Sequence, residues 1–365
     1  MHRVLAFPKS TKKATFDIHS FLMTHEFRTL ITTAFTYYQQ QQTCVMASVV
    51  ALDGSSYRKP GVRMLISANG TMTGAVSGGC VEKEVLFQAQ EVFETGNPKM
   101  MTYDGRYRLG CEGMLYILIE PLVVTEALYN QLSTAFEQRT PIQICAYYSR
   151  DIEATQHYLG SQVQLAAGAP LLLNGEETQT TPAENTLEFK QQLPPIFQLF
   201  LFGAEHDAVQ LGIQASQLGW DMTVIASPKD PKTEANFPGV KSVLHLLPEE
   251  AHQLVIDEES AVVLMNHNYA TDLNFLVNIY DKQPQYIGIL GSSKRREKLF
   301  NELIDYKPDL DAEVLDRIYG PAGIDIGAIT PQEIALSVLA ELLAVTRKRD
   351  VPSLRDKLGS IHKEA

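Results

Sequence analysis

The sequence predicts an α/β protein of two domains. An N-terminal mixed α/β domain is expected over 1–190, and a C-terminal Rossmann-like, doubly wound parallel sheet over 195–350. Three observations predict this. First, 365 residues exceed one ordinary domain, and 45% hydrophobic with 20% charged residues is the balance of a globular chain with a sizeable core. Second, short apolar runs in the first half alternate with Gly-rich turns. Third, the second half opens on the continuous apolar run 196–202, as in a strand buried on both faces of a parallel sheet, and a second strand follows at βαβ distance. The polar stretch 174–182 and Leu193-Pro194-Pro195 mark the boundary.

Composition excludes several function classes. A formal net charge of −12 argues against broad nucleic-acid binding, which shows a basic footprint. A small anionic ligand remains compatible, because local basic residues and helix N-termini act against the global sign. The four cysteines, Cys44, Cys80, Cys111 and Cys145, lack CxxC spacing and make neither a disulfide framework nor a zinc signature. The first residues do not read as a signal peptide, and no apolar run is long enough to span a bilayer. A cytoplasmic protein is the expectation.

In the first half, residues 1–20 read as a loose lead and 22–41 as a helix. Residues 44–52 are β-branched and apolar, a buried strand bounded by Asp53-Gly54. Residues 64–67 and 71–76 form a hairpin through Asn69-Gly70. Val81, Val85, Ala89 and Val92 recur at helical spacing until Gly96-Asn97-Pro98 ends the helix. Strands follow at 100–103, 114–120 and 142–148, with a helix at 125–137.

Two turns in this half carry the chemistry. Gly54, Ser55 and Ser56 open a turn rich in hydroxyls, with Arg58, Lys59 and Arg63 close behind. Gly78-Gly79-Cys80 stands at a helix N-terminus, where free N–H groups and the dipole suit an anion and lower a thiol pKa. Cys80 is equally readable as a small buried residue in a tight turn. A second cysteine, Cys111, sits between Gly110 and Gly113.

In the second half, Gly203-Ala204-Glu205-His206 follows the first strand in the position of a dinucleotide fingerprint. The second glycine of that fingerprint is Glu205, and the acid expected after the strand at 222–226 is replaced around Ala226-Ser227. Both changes oppose NAD binding. Further strands at 261–265 and 286–290 lead to His267 and to Gly291-Ser292-Ser293-Lys294-Arg295-Arg296. That last stretch is either a second anion site, with Gly291, Ser292, Lys294 and Arg295, or a capped surface helix. Thr330, Pro331 and Glu333 predict a capping box at the start of a long apolar-faced helix.

Taken in order, these motifs resemble the XdhC/CoxI family of accessory factors for xanthine dehydrogenase and related molybdenum hydroxylases. The resemblance rests on residues 54–61, 74–82 and 110–113, and on 288–296, 321–327 and 330–335. It implies binding of molybdenum cofactor (molybdopterin), help with its sulfuration, and insertion into an apo-hydroxylase. On the cofactor-chaperone reading, Cys80 and Cys111 are expected to line one pocket, with Gly78, Gly79 and Arg63 contributing. A hydroxylase client, a cysteine desulfurase and a homodimer are the implied partners. Two other readings stay open: an NAD(P)-dependent oxidoreductase using Gly203 and His206, and a scaffold that only docks a client.

Overall fold

The computed structural model describes residues 23–54, 56, 59–79, 81–105, 113–150, 159–166, 168–176 and 186–356. Ser55, Arg58, Cys80 and Cys111 lie outside the described residues.

The first unit runs α1 (Met23–Gln39), β1 (Cys44–Asp53), β2 (Arg63–Ser67), β3 (Met72–Gly74), α2 (Glu82–Thr95), β4 (Lys99–Asp104), β5 (Met114–Leu122), α3 (Glu126–Glu137), β6 (Ile142–Tyr148), β7 (Gly160–Gln164), β8 (Leu171–Leu172) and β9 (Leu187–Leu193). Five strands form one antiparallel sheet in the order β3-β2-β1-β5-β4, and four form a second in the order β8-β7-β6-β9. One face of the five-stranded sheet buries Val45, Ala47, Val49, Ile117 and Ile119 against Phe27 and Leu30 of α1, Val85 and Ala89 of α2 and Leu128 of α3. Helical spacing of those side chains is what sets each helix on the sheet. The other face buries Val50, Met100 and Leu118 against Ala146 and Tyr148 of β6.

The hairpin expected at 71–76 pairs only over Met72–Gly74. The second sheet is a larger departure from expectation, since no strand is expected between 148 and the boundary read from 174–182 and Leu193-Pro194-Pro195. Strands β7 and β9 are rich in Ser, Gln, Glu and Lys, and they join a sheet through backbone pairing to the apolar β6.

The second unit runs β10 (Gln198–Phe202), α4 (His206–Gln217), β11 (Asp221–Ala226), β12 (Ser242–His245), β13 (Ser260–Leu264), α5 (Tyr269–Ile279), β14 (Tyr286–Ile289), α6 (Ser293–Tyr306), α7 (Ala312–Asp316), β15 (Ile318–Tyr319) and α8 (Pro331–Thr346). Its six strands are all parallel, in the order β12-β11-β10-β13-β14-β15. Counted from the unit's first strand this is 3-2-1-4-5-6, the doubly wound order of dinucleotide-binding folds. The unbroken apolar runs follow from burial on both faces. Leu199, Leu201, Val224 and Val263 pack under α4 and α8, while Phe200, Phe202, Val262 and Leu264 pack under α5 and α6. The capping box at Thr330 and Glu333 is present.

The units meet at the N-terminal edge of the parallel sheet. Arg28 of α1 donates to both oxygens of Asp221, at 2.8 and 3.2 Å. Arg139, after α3, donates Nε and Nη2 to Asp257 at 2.8 Å each, and Nη1 to the Ile196 carbonyl at 2.8 Å. Thr24 Oγ1 donates to the Pro194 carbonyl.

Candidate functional site

Strand order brings the first unit's motifs together. Gly74 pairs with Met64 at the start of β2, Arg63 pairs with Ser48, and Met114 pairs with both Asp53 and Asp104. The chain therefore leaves and re-enters the sheet along one edge, at Gly74, at Asp53 and Arg63, and at Asp104 and Met114, in that spatial order. Along the sequence the intervening stretches are spread over 54–113.

At this edge Gly54 has φ +84° and Gly61 φ +102°, backbone that favours glycine. Ser56 is half-buried. Sequence reading missed one cluster here. Arg150, beyond β6, grips the Asp53 carboxylate through both terminal nitrogens at 3.0 and 3.1 Å and lies 4.8 Å above the Tyr116 ring, whose hydroxyl donates to Asp53. No sequence signal links Arg150 to Asp53 across 97 positions.

The N-terminus of α2 already holds an anion from its own chain. Glu82 accepts from Ser77 N at 2.8 Å and from Ser77 Oγ at 2.6 Å. Ser77 Oγ in turn accepts from Gly79 N and Val81 N, at 3.1 and 3.2 Å. Burial pushes the Glu82 carboxyl up, but the hydrogen bonds from Ser77 and the backbone outweigh it and hold it below its ordinary value. Gly78 N–H takes no part in these bonds. A Cβ on Gly78 or Gly79 would meet nothing within 4 Å. Gly79 needs glycine for its φ of +114°, whereas Gly78 has no such backbone requirement and no crowding neighbour. Its bare backbone is open to an approaching group.

Arg63, expected as an anion contact on the loop, points instead into the interior. Its Nη1 donates to the Gly61 carbonyl at 2.7 Å and to Gln191 Oε1 of β9 at 2.6 Å, and the residue is 5% exposed. Burial pulls the guanidinium down to about 10, with the Glu120 carboxylate opposing. The cause is strand register: Arg63 is the first residue of β2 and faces the second sheet.

The C-terminal edge of the parallel sheet gathers the second unit's candidates. Gly203 (φ +129°) follows β10, and a Cβ there would come within 3.0 Å of the Met265 backbone at the end of β13. This is the point where strand order reverses, the usual ligand crevice of such sheets. Glu205 is the N-cap of α4 without a side-chain cap bond, and His206, the first helical residue, is exposed. Lys232 Nζ lies 3.7 Å from Glu205 and donates to the Ala204 carbonyl at 2.6 Å and to Asp230 at 3.3 Å. A carboxylate and its ammonium partner thus stand where a pyrophosphate would meet the helix.

Within the basic run after β14, Arg295 is committed inward. Ser292 caps α6 by accepting from Arg295 N. Arg295 folds back over Gly291 and donates Nη2 to Asp272 at 2.6 Å and to the Asn266 carbonyl at 3.0 Å. Asp272 is fully buried; burial pushes its carboxyl up against the pull of Asn266 and Arg295. Arg296 lies 5.4 Å from the Phe300 ring, and Lys298 lies 4.3 Å from Tyr269. Lys294 and His267 are exposed. The capped-helix reading of this stretch accounts for Ser292 and Arg295. Among the described residues no group of His, Cys, Asp and Glu is arranged to hold a metal ion, and no helix is long and apolar enough to cross a membrane.

Residues 199–342 match the family model described as the XdhC Rossmann domain, and 38–104 match that of the XdhC and CoxI family. The chain is 27% identical over 337 residues to a Bacillus subtilis (strain 168) protein named as a probable subunit of xanthine dehydrogenase, covering 85% of this chain and 95% of that one. It is 25% identical over 328 residues to the molybdenum cofactor insertion chaperone PaoD of Escherichia coli (strain K12), covering 88% and 90%. A crystal structure from Bacillus halodurans, described as a xanthine dehydrogenase, superposes with a TM-score of 0.71 at 27% identity, covering 88% of this chain and 96% of that chain.

Proposed function

Because the chain belongs to the XdhC and CoxI family, we propose that it is a maturation factor that carries molybdenum cofactor to a molybdenum hydroxylase. Its nearly full-length likeness to a molybdenum cofactor insertion chaperone and to a probable subunit of xanthine dehydrogenase supports that role. The observation that supports the reading is the strand order β3-β2-β1-β5-β4, in which the strand ends flanking the three Gly-rich stretches lie along one edge. The cofactor is cargo here, and the open space over Gly78 and Gly79 at the start of α2 supports its approach at that place. Cys80 follows Gly79 in sequence and Cys111 belongs to the β4–β5 connection of the same sheet, so both thiols are candidates for the metal end. Arg63 and the first turn of α2 have partners of their own and supply support to the edge.

In the finer reading the protein assists sulfuration with a cysteine desulfurase, works as a homodimer in the cytoplasm, and serves a xanthine dehydrogenase-type client. The test is pterin content. Wild type, Cys80→Ala and Gly78→Val are purified from a cofactor-producing host, oxidised, and their pterin fluorescence is compared. Wild type is expected to retain pterin and both variants to lose most of it, with Gly78→Val still folded because its side chain meets open space. No pterin in wild type, or equal pterin in all three, would overturn the proposal.

A further inference from the structure

Five strands each place one polar side chain in the layer between the first unit's two sheets. Directly opposed residues share a face, as do residues two apart on a strand. Ser48 opposes Arg63, and Met46, two residues before it, opposes Glu120, so Ser48, Arg63 and Glu120 share one face of the five-stranded sheet. Across the layer, Ser161 opposes Ala146, and Gln191 opposes Ile144, on one face of the second sheet. All five residues are buried. Ser161 fills both Glu120 oxygens, donating N at 2.7 Å and Oγ at 2.6 Å, and Gln191 accepts from Arg63.

The hydrogen bonds do not close. Arg63 Nε, Arg63 Nη2 and Ser48 Oγ have no hydrogen-bond partner among the described residues. Nε and Nη2 form the side-on fork of a guanidinium, the pair that Arg139 uses on Asp257 in this same chain. Arg63 and Glu120 feel each other's charge without a direct ion pair. Buried donors left this way are costly and in native interiors are normally met by protein or by ordered water.

We propose that the layer encloses an ordered-water site in which the Arg63 fork donates to water and the water bridges onward to the Ser48 hydroxyl and the Glu120 carboxylate. Charge decides for water over an oxyanion. An ionised Glu120 supplies the negative counterpart of Arg63, and a second anion beside it would leave the buried cluster with excess negative charge. Each carboxylate oxygen keeps a lone pair beyond its bond from Ser161, and a hydroxyl both donates and accepts. A neutral guest that also does both satisfies every unmatched group. The site holds the guanidinium from which Gly61, the last glycine of the 54–61 motif, hangs by its carbonyl.

A crystal structure with ordered solvent, together with thermal unfolding of wild type, Ser48→Ala and Arg63→Lys, tests this. Density for water is expected within hydrogen-bond distance of Arg63 Nε or Nη2 and of Ser48 Oγ. Ser48→Ala is expected to lower Tm by roughly 2–4 °C, because it strips a ligand from the water. A rise in Tm would mean that the hydroxyl was an unmatched burden, and would overturn the proposal. So would side-chain atoms packed directly against the fork. Unfolding in phosphate against chloride at equal ionic strength is expected to show no difference. A phosphate-dependent rise in Tm that Arg63→Lys abolishes, with tetrahedral density at the fork, would replace water by an oxyanion.

Discussion

Replacing Glu120 by glutamine removes an ionisable carboxyl from the inter-sheet layer, and the consequence should be a change in pH dependence. Burial pushes the Glu120 carboxyl up to about 7 from an ordinary 4.5, against the pull of its Ser161 hydrogen bonds and the Arg63 charge. A carboxyl raised in the folded state adds stability that is fully present below 4.5 and is lost as pH climbs through 7. At about 1.4 kcal/mol per pH unit, the interval between those values corresponds to about 3 kcal/mol. Glutamine keeps the shape and one acceptor oxygen but cannot titrate. Urea denaturation at intervals from pH 4.5 to 8, followed for wild type and Glu120→Gln, isolates the residue in the difference between the two curves. Wild type should lose about 3 kcal/mol relative to the variant over that range. Parallel curves would refute the reasoning, because they would mean that Glu120 titrates alike in the folded and unfolded chain. Glu259, pushed up to about 8 by burial and by Asp257, has the same sign and cancels in the comparison.

Other perturbations probe different links. Arg139→Ala cuts four hydrogen bonds across the junction of the units, to Asp257, Ile196 and Glu259. It should cost about 2 kcal/mol in urea denaturation, since charged hydrogen bonds count but Asp257 is partly exposed; a loss under about 0.5 kcal/mol would show the clamp to be idle. Gly61→Ala forces a Cβ to 2.5 Å from Gln191 Nε2 at φ +102° and should cost about 2–3 kcal/mol, whereas Gly78→Ala should stay within about 0.5 kcal/mol. Calorimetric titration with NAD(H) and NADP(H) should show no binding tighter than about 1 mM, because Glu205 and Lys232 occupy the phosphate end of the crevice; micromolar affinity would revive the oxidoreductase reading.

The parts of the fold that were legible in the sequence are those where one element's pattern decides its place. The run 196–202 reads as a strand covered on both faces, and α4, α5, α6 and α8 cover it. Gly96 ends α2 in the left-handed conformation, as Gly and Pro signals lead one to expect. What stayed hidden depends on pairing between distant residues. Arg63 and Gln191 are 128 positions apart, and Glu120 and Ser161 are 41. Signals were nevertheless present. Glu120 is a lone acid within the apolar strand β5, and Arg63 stands between Val62 and Met64. A charge embedded in an apolar run must find an internal partner, so both residues were readable as interior polar groups. The run Lys294-Arg295-Arg296 shows the reverse difficulty. A basic helix start looks the same in sequence whether it faces a ligand or, like Arg295, an aspartate 23 residues upstream.

The two edges that the motifs point to differ in what already fills them, and this difference is what directs the functional reading to the first unit. At the parallel sheet, the glycine after β10 is explained by the Met265 backbone pressing on it, the helix start is met by Glu205 with Lys232, and Arg295 covers Gly291 on its way to Asp272. Gly203 and Gly291 there are each met by atoms of the chain itself, and Glu205 and Arg295 have charged partners within it. At the five-stranded sheet, Gly61 is explained by Gln191 and Gly79 by its backbone angle, but Gly78 is explained by neither. A glycine that the protein's own packing does not require, set at the N-terminus of a helix beside a cysteine, leaves the backbone bare for a ligand to approach. Glu82 and Ser77 hold the loop in that shape by taking the amides of Ser77, Gly79 and Val81 and sparing the one at Gly78. Substituting Gly78 therefore separates binding from folding more cleanly than any substitution at the parallel sheet, where each candidate glycine meets backbone or side-chain atoms of the chain itself.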